Sequence, residues 1–230
     1  MRQFWDERAK EDAFYFVDNR IGYRDPEAEQ RFWAGGITDL DNLLTATEIE
    51  VQPADRVVEI GCGVGRLTRV LSERAASVKA LDVSAEMLEQ AREHNGTLAN
   101  VEWIQGDGTT LAGIPDGQAD LVVSHVVFQH IPDPQITLGY VREIGRVLRP
   151  GGLAGFQVSN DSSVHKPRVG FGDKLRAAVG QAPKGQTHAM WLGSAVEVDD
   201  LRAAASDGDM DIEKLVGEGT QYLLVRLRRR

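Results

Sequence analysis

Three carboxylates stand where apolar segments give way to turns. Glu59 precedes Gly61-Cys62-Gly63-Val64-Gly65, Asp82 lies in Ala80-Leu81-Asp82-Val83-Ser84, and Asp107 lies in Ile104-Gln105-Gly106-Asp107-Gly108. The run Val57-Val58-Glu59-Ile60 followed by alternating glycines, then Leu67, Val70 and Leu71, is a buried strand opening into a helix through a tight turn. Glycines there let the backbone bend sharply and let a ligand lie against the main chain. The spacing selects among ligands. A dinucleotide site needs a glycine where Arg66 stands, and no Gly-Lys-Ser/Thr follows, so a nucleotide-phosphate loop is excluded. A nucleoside fits better. Asp82, with Val83 beside it, comes 17 positions after Gly65 and can accept both hydroxyls of a ribose laid across the strand ends. Its alternative role as a helix cap is already served by Ser84. Cys62, between two glycines, is read as a small packing residue of the ligand loop.

Glu59-x-Gly61-x-Gly63-x-Gly65 resembles motif I of the class I S-adenosylmethionine-dependent methyltransferases. A bare glycine alternation is weak, since glycine turns end many strands; the acidic residue two before the first glycine makes it more specific. The resemblance covers residues 50 to 230 and implies S-adenosylmethionine as cofactor. It is then held by Glu59, Gly61, Cys62, Gly63, Gly65 and Arg66 on the first turn, and by Asp82, Val83 and Met87 around the second. Met87 stands either on the adenine face or in the core. Asp107 is expected on the adenine amino group, with the backbone N–H of Gly108 near a ring nitrogen. A turn role for Asp107 is the alternative, because Asp-Gly is a turn pair.

Val122-Val123-Ser124-His125-Val126-Val127-Phe128-Gln129-His130-Ile131-Pro132-Asp133 resembles the family's motif IV region in small-molecule enzymes. That resemblance puts Ser124 beside the methionyl moiety and makes His130 and His125 the candidate catalytic residues. Methyl transfer from a sulfonium is an in-line displacement, so alignment supplies most of the rate. A base is needed only if the acceptor must lose a proton, which an ordinary histidine suits at neutral pH. The competing reading is a satisfied core histidine. No Asn-Pro-Pro-Tyr tetrad is present, which counts against an adenine or glutamine acceptor, and no His/Cys/Asp spacing suggests a metal.

These positions require alternating strands and helices: strands at 56–60, 78–82, 101–105, 119–124 and 153–158, and helices at 66–74, after the Ser84 cap, and after Asp133-Pro134. The Pro150-Gly151-Gly152 run is expected to stop the last of these helices before the fifth strand. A helix at 199–205 and an antiparallel pair, 210–216 with 221–228, finish the chain. The predicted fold is α/β, a doubly wound, mostly parallel seven-stranded sheet with a C-terminal antiparallel hairpin. Residues 1–50 read as a helical cap, with one helix starting at Asp25-Pro26 and Leu40, Leu43, Leu44 and Thr47 on one face. Residues 51–230 form the cofactor domain, with a lid-like segment at 160–195.

Eight of the fifteen aromatic residues fall in the first 33 positions, and Phe14-Tyr15-Phe16 cannot all lie on one helix face. An apolar or aromatic small-molecule acceptor, walled by these helices with Trp191 opposite, is therefore expected. The net charge of -9 argues against nucleic acid as the partner. Arg226, Arg228, Arg229 and Arg230 read as a solvated strand end. One cysteine, no apolar run of membrane-spanning length and a charged N-terminus suggest a cytoplasmic protein; monomer and homodimer are both open. Methylation of protein or RNA, a non-catalytic adenosyl-binding module and, most weakly, a nicotinamide oxidoreductase are the rival readings.

Overall fold

Alternate residues of β1 (Arg56–Ile60) enter different cores, which is why four of its five residues are buried. Val57 packs with α2 (Ala28–Thr47), α3 (Arg66–Arg74) and α4 (Ala85–Asn95); Val58 and Ile60 pack with α5 (Pro134–Val147) and α7 (Val198–Asp207). A strand covered on both faces belongs to the middle of a parallel sheet. A computed structural model describes residues 1–25, 27–166, 183–185 and 187–230. Its seven strands run in the order β3-β2-β1-β4-β5-β7-β6, where β2 is Ser77–Asp82, β3 Val101–Gln105, β4 Ala119–Ser124, β5 Leu148–Val158, β6 Met210–Val216 and β7 Leu223–Arg229. The first five are mutually parallel. β7 inserts antiparallel between β5 and β6.

Local chemistry accounts for the boundaries. The Ser84 side chain accepts from the Met87 N–H at 3.1 Å and starts α4. Asp133 accepts from the Gln135 N–H at 2.9 Å, with Pro134 in the first helical turn of α5. Pro150-Gly151-Gly152 behaves differently from the expected stop. Helix α5 already ends at Val147, and β5 begins at Leu148. Leu148 pairs with Ala119 and Leu153 with Leu121, so the Pro-Gly-Gly segment is an insertion bulged out of the ladder. Proline and a glycine at φ 78 suit such a bulge, because it needs no ladder N–H and tolerates left-handed backbone.

The N-terminal helices are α1 (Arg2–Val17), broken by non-helical backbone at Asp12, and α2. Leu40, Leu43, Leu44 and Thr47 are all buried, as their spacing requires. Helix α2 starts at Ala28 rather than at Asp25-Pro26. Asp25 caps the preceding turn by accepting from the Glu27 N–H at 2.9 Å, while Pro26 lies outside the described residues. Across the junction, Asp6 of α1 accepts from the Ser84 hydroxyl at 2.6 Å and the Glu86 N–H at 3.2 Å, adding negative charge at the N-terminus of α4. In the segment read as a lid, residues 167–182 and 186 lie outside the described residues. The remainder includes α6 (Ala189–Leu192), and the Lys184 N–H donates to Glu11 of α1 at 3.0 Å. The terminal arginines pair with acidic residues, Arg226 and Arg228 with Glu213, and Arg229 and Arg230 with Asp209.

Candidate active site

The glycine turn after β1 leaves no room for side chains. A Cβ at Gly61 (φ 74) would fall 2.3 Å from Val127 Cγ2, and one at Gly63 (φ 54) would fall 2.8 Å from Val17 Cγ2. Strand ends, the post-β4 segment and α1 therefore close on this turn from three directions. Gly65 is the N-cap of α3 and faces Asn95 and Trp103; it is not on the cavity wall.

Asp82 locks the turn in place. Its Oδ2 accepts from the Gly63 N–H at 2.9 Å and its Oδ1 from the Ser84 N–H at 2.8 Å. Burial raises its carboxyl above the ordinary value, against these bonds. Glu59 lies behind, its Oε2 accepting from the Thr68 hydroxyl at 2.5 Å, and burial pushes its carboxyl up to about 7. Both carboxylates line one cavity at the carboxyl ends of the strands, together with Gly61, Cys62 and Gly63. Burial pushes the Cys62 thiol well up, which keeps it protonated and suits packing. Val83, Met87, Gly106 and Gly108 form the adjoining wall.

Two expected ligands are elsewhere. Asp107 turns its carboxylate onto its own loop: Oδ1 accepts from the Thr109 and Thr110 N–H groups, each at 2.7 Å, and Oδ2 from the Thr110 hydroxyl at 2.6 Å. Burial is the largest single influence and raises the carboxyl, but the Thr109 and Thr110 donors together outweigh it and hold it at about 2. The side chain is a turn cap and does not line the cavity. Ser124 is buried with its hydroxyl donating to the Ile60 carbonyl at 3.0 Å, a tie between β4 and β1 rather than a cavity contact. Arg66 is also reassigned. Its Nη1 contacts Asp39 at 2.6 Å and Asp18 at 3.3 Å, and Phe32 lies across the guanidinium, so its charge is neutralised by the N-terminal segment. It nonetheless forms part of the wall.

After β4 the chain carries Val126 at φ 57, a left-handed conformation costly for a β-branched residue and typical of constrained sites. This twist separates two histidines. His125 has a buried Nδ1 with no partner among the described residues, and burial lowers its imidazole to about 4. His130 is held at both nitrogens. Its Nδ1 lies 2.9 Å from the Trp191 carbonyl, which assigns the proton there, and its Nε2 lies 3.2 Å from the Gln129 amide nitrogen, which donates to it. Burial lowers it to about 4 as well. Gln129 is in turn fixed by the Gln157 amide at 3.1 Å. Gln129 was not legible as a site residue, because nothing in a single polar residue before a histidine reveals where its amide points.

A second cavity, about 590 Å³, adjoins the first. Phe16, Val17, Arg66, His125, Val126 and His130 line both. Of the eight N-terminal aromatic residues only Trp5 and Phe16 reach these cavities. Phe14, Phe32 and Trp33 pack on one another in tilted and edge-to-face contacts, and Tyr15 meets Tyr23. Trp191 packs edge-on against Phe16, with ring centroids 5.4 Å apart, and both line the second cavity.

A mostly parallel sheet ending in an antiparallel pair, with a crevice at its strand ends, is the architecture of Rossmann-like methyltransferases. Residues 58–156 match the family model described as a methyltransferase domain. The chain is 39% identical over 112 residues to trans-aconitate 2-methyltransferase of Azoarcus sp. (strain BH72), covering 48% of this chain and 41% of that protein. It is 30% identical over 167 residues to ubiquinone biosynthesis O-methyltransferase of Methylococcus capsulatus, covering 71% of this chain and 66% of that protein. It thus spans less than two thirds of either relative. The structure superimposes on the N-methyltransferase NodS from Bradyrhizobium japonicum, solved with S-adenosyl-L-homocysteine, with TM-score 0.61, 17% identity, and coverage of 99% of this chain and 97% of that one. Over residues 58–156 the chain is similar to the class I S-adenosylmethionine-dependent methyltransferases, and its fold is theirs. The residues present fit that cofactor: a glycine cradle that any Cβ would obstruct, a strand-end carboxylate at its rim, and an apolar wall with Val83 and Met87.

Proposed function

We propose that this protein transfers the methyl group of S-adenosylmethionine to an oxygen or nitrogen of a small molecule bound in the second cavity. One observation carries the reading: two cavities of different character meet at His125, Val126 and His130, directly above the glycine turn. When bound, the cofactor supplies an electrophilic methyl group. The chain's contribution is alignment and exclusion of water. Asp82 is assigned to the ribose hydroxyls, since a carboxylate with two backbone partners retains lone pairs for them. Gly106, Gly108, Val83 and Met87 are assigned to the adenine. His125, neutral at physiological pH, is assigned to accept a hydrogen bond from the acceptor. His130 is assigned to hold the cavity wall, because its accepting nitrogen is already taken by Gln129. Trp5, Phe16 and Trp191 supply the aromatic part of the acceptor's surroundings.

Isothermal titration with S-adenosyl-L-homocysteine, paired with a radiolabelled methyl-transfer screen of amines, phenols and carboxylic acids, tests this reading. The expected result is saturable binding and turnover of at least one acceptor. Folded protein that binds no S-adenosyl-L-homocysteine would overturn it, and binding without turnover of any acceptor would favour an adenosyl-binding module.

A further inference from the structure

The second cavity has a charge opposite to that of the molecule. The chain carries a net charge of -9, yet among the described residues the cavity is lined by Arg20, Arg66 and Lys166 against two carboxylates, Asp18 and Asp39. Those two are consumed. Arg20 bonds Asp18 and Asp39, and Arg66 contacts both from the other side, so the four groups neutralise one another. Lys166 forms no ion pair or hydrogen bond among the described residues and leaves the lining with a surplus positive charge.

One further donor, on a residue of the wall, lacks an acceptor. Arg66 spends Nη1 on the aspartates, but its Nε is buried with no partner, although 5% of the side chain is exposed. A buried donor left unsatisfied is costly, and ordered water or a ligand is its usual resolution. Asn19, Asn42 and Gln221 in the lining add amide groups that can donate hydrogen bonds without adding negative charge.

We propose that the second cavity recognises a small molecule by a carboxylate group, with Lys166 as its charge partner at the outer wall and Arg66 and the amide side chains as the inner polar surface. This rests on the second cavity being the acceptor site and narrows the acceptor to carboxylic acids. It also revises the expectation of a largely apolar acceptor: Phe16 and Trp191 would grip the body of the molecule while the cationic lining holds its anionic end. Ionic recognition of this kind weakens with salt, because partly exposed charges are screened.

Glutarate and tricarballylate, each beside its neutral amide, are the probes, titrated calorimetrically into the full chain held with S-adenosyl-L-homocysteine. The acids are expected to bind and the amides to bind at least about tenfold more weakly, with Lys166→Ala erasing about tenfold of the acid affinity and Lys166→Arg restoring it. Raising sodium chloride to about 0.5 M should weaken the acids alone. Equal binding of acids and amides, no binding of either acid, or unchanged acid binding in Lys166→Ala overturns the proposal. If neutral amines or phenols are methylated while the acids fail, this inference falls and the methyltransferase reading stands. Failure to bind S-adenosyl-L-homocysteine removes both.

Discussion

At the residue scale, Asp82 has two duties, and a single substitution removes both. It fixes the glycine turn through Gly63 and Ser84, and it is the group assigned to the ribose. Asp82→Ala should weaken S-adenosyl-L-homocysteine binding by about 1.5–3 kcal/mol for each charge-assisted bond lost, roughly tenfold to a hundredfold per bond. Titration of folded variant protein measures it, and unchanged affinity refutes the assignment. His125 makes a prediction about pH. Burial lowers its imidazole to about 4, so the accepting form is lost only as pH falls through that region. The rate, as kcat/KM, should therefore be level from about pH 5.5 to 8 with respect to this group, whereas an unperturbed histidine would give a limb near pH 6.5. A limb near 6.5 that disappears in His125→Gln would show that burial does not govern the group.

At the scale of elements, the junction between α1, α2 and α3 is an ion cluster rather than a greasy contact. Burial by itself raises the Asp39 carboxyl, but the guanidiniums of Arg20 and Arg66 outweigh it and hold the carboxyl below its ordinary value. Removing one member leaves buried positive charge uncompensated, which costs far more than the cluster's net contribution. Asp39→Ala should destabilise the protein by about 3–5 kcal/mol in urea unfolding. A loss under about 1 kcal/mol would mean that water reaches Arg66. Sequence alone assigned Arg66 to the cofactor because it follows the glycine turn. Its true partners lie 27 and 48 residues away in the chain, a separation no local pattern encodes.

Across the whole molecule, α1 is joined to the sheet domain at several separate points. Asp6 caps α4, Val17 abuts Gly63, and Trp5 and Phe16 stand on the cavity walls. Deleting residues 1–24 removes Asp18 and Arg20 together, so Asp39 keeps Arg66 and no charge is stranded. The seven-stranded core should remain folded by circular dichroism while methyl transfer falls about tenfold or more, because water enters where alignment is needed. Full activity in the truncated protein would mean that α1 only packs; global unfolding would make the cap part of the core.

The division between what was legible and what was not follows the range of the interactions. Strand β1, helix α3, strands β3, β4 and β6 and the starts of α4 and α5 were readable because period-two and helical apolar spacing, caps and glycines act over a few residues. The antiparallel end of the sheet was readable because a short connection permits little else. The Pro-Gly-Gly bulge was misread as a simple stop, since only pairing with β4 reveals that the strand resumes on both sides of it. At the site, Glu59, Asp82, Gly61 and Gly63 line the crevice at the positions their type and spacing gave them, whereas Gly65 faces Asn95 and Trp103. Asp107 and Ser124 had the right types in the right places, but their oxygens were taken by Thr109, Thr110 and Ile60. Sequence by itself determined the sheet, the place of the crevice and the resemblance to the methyltransferases. Only tertiary structure decided which carboxylates face that crevice, which histidine keeps a nitrogen unengaged, and what charge the adjoining cavity carries. Those properties depend on side-chain direction and on partners far apart in the chain, and both are set when the elements pack.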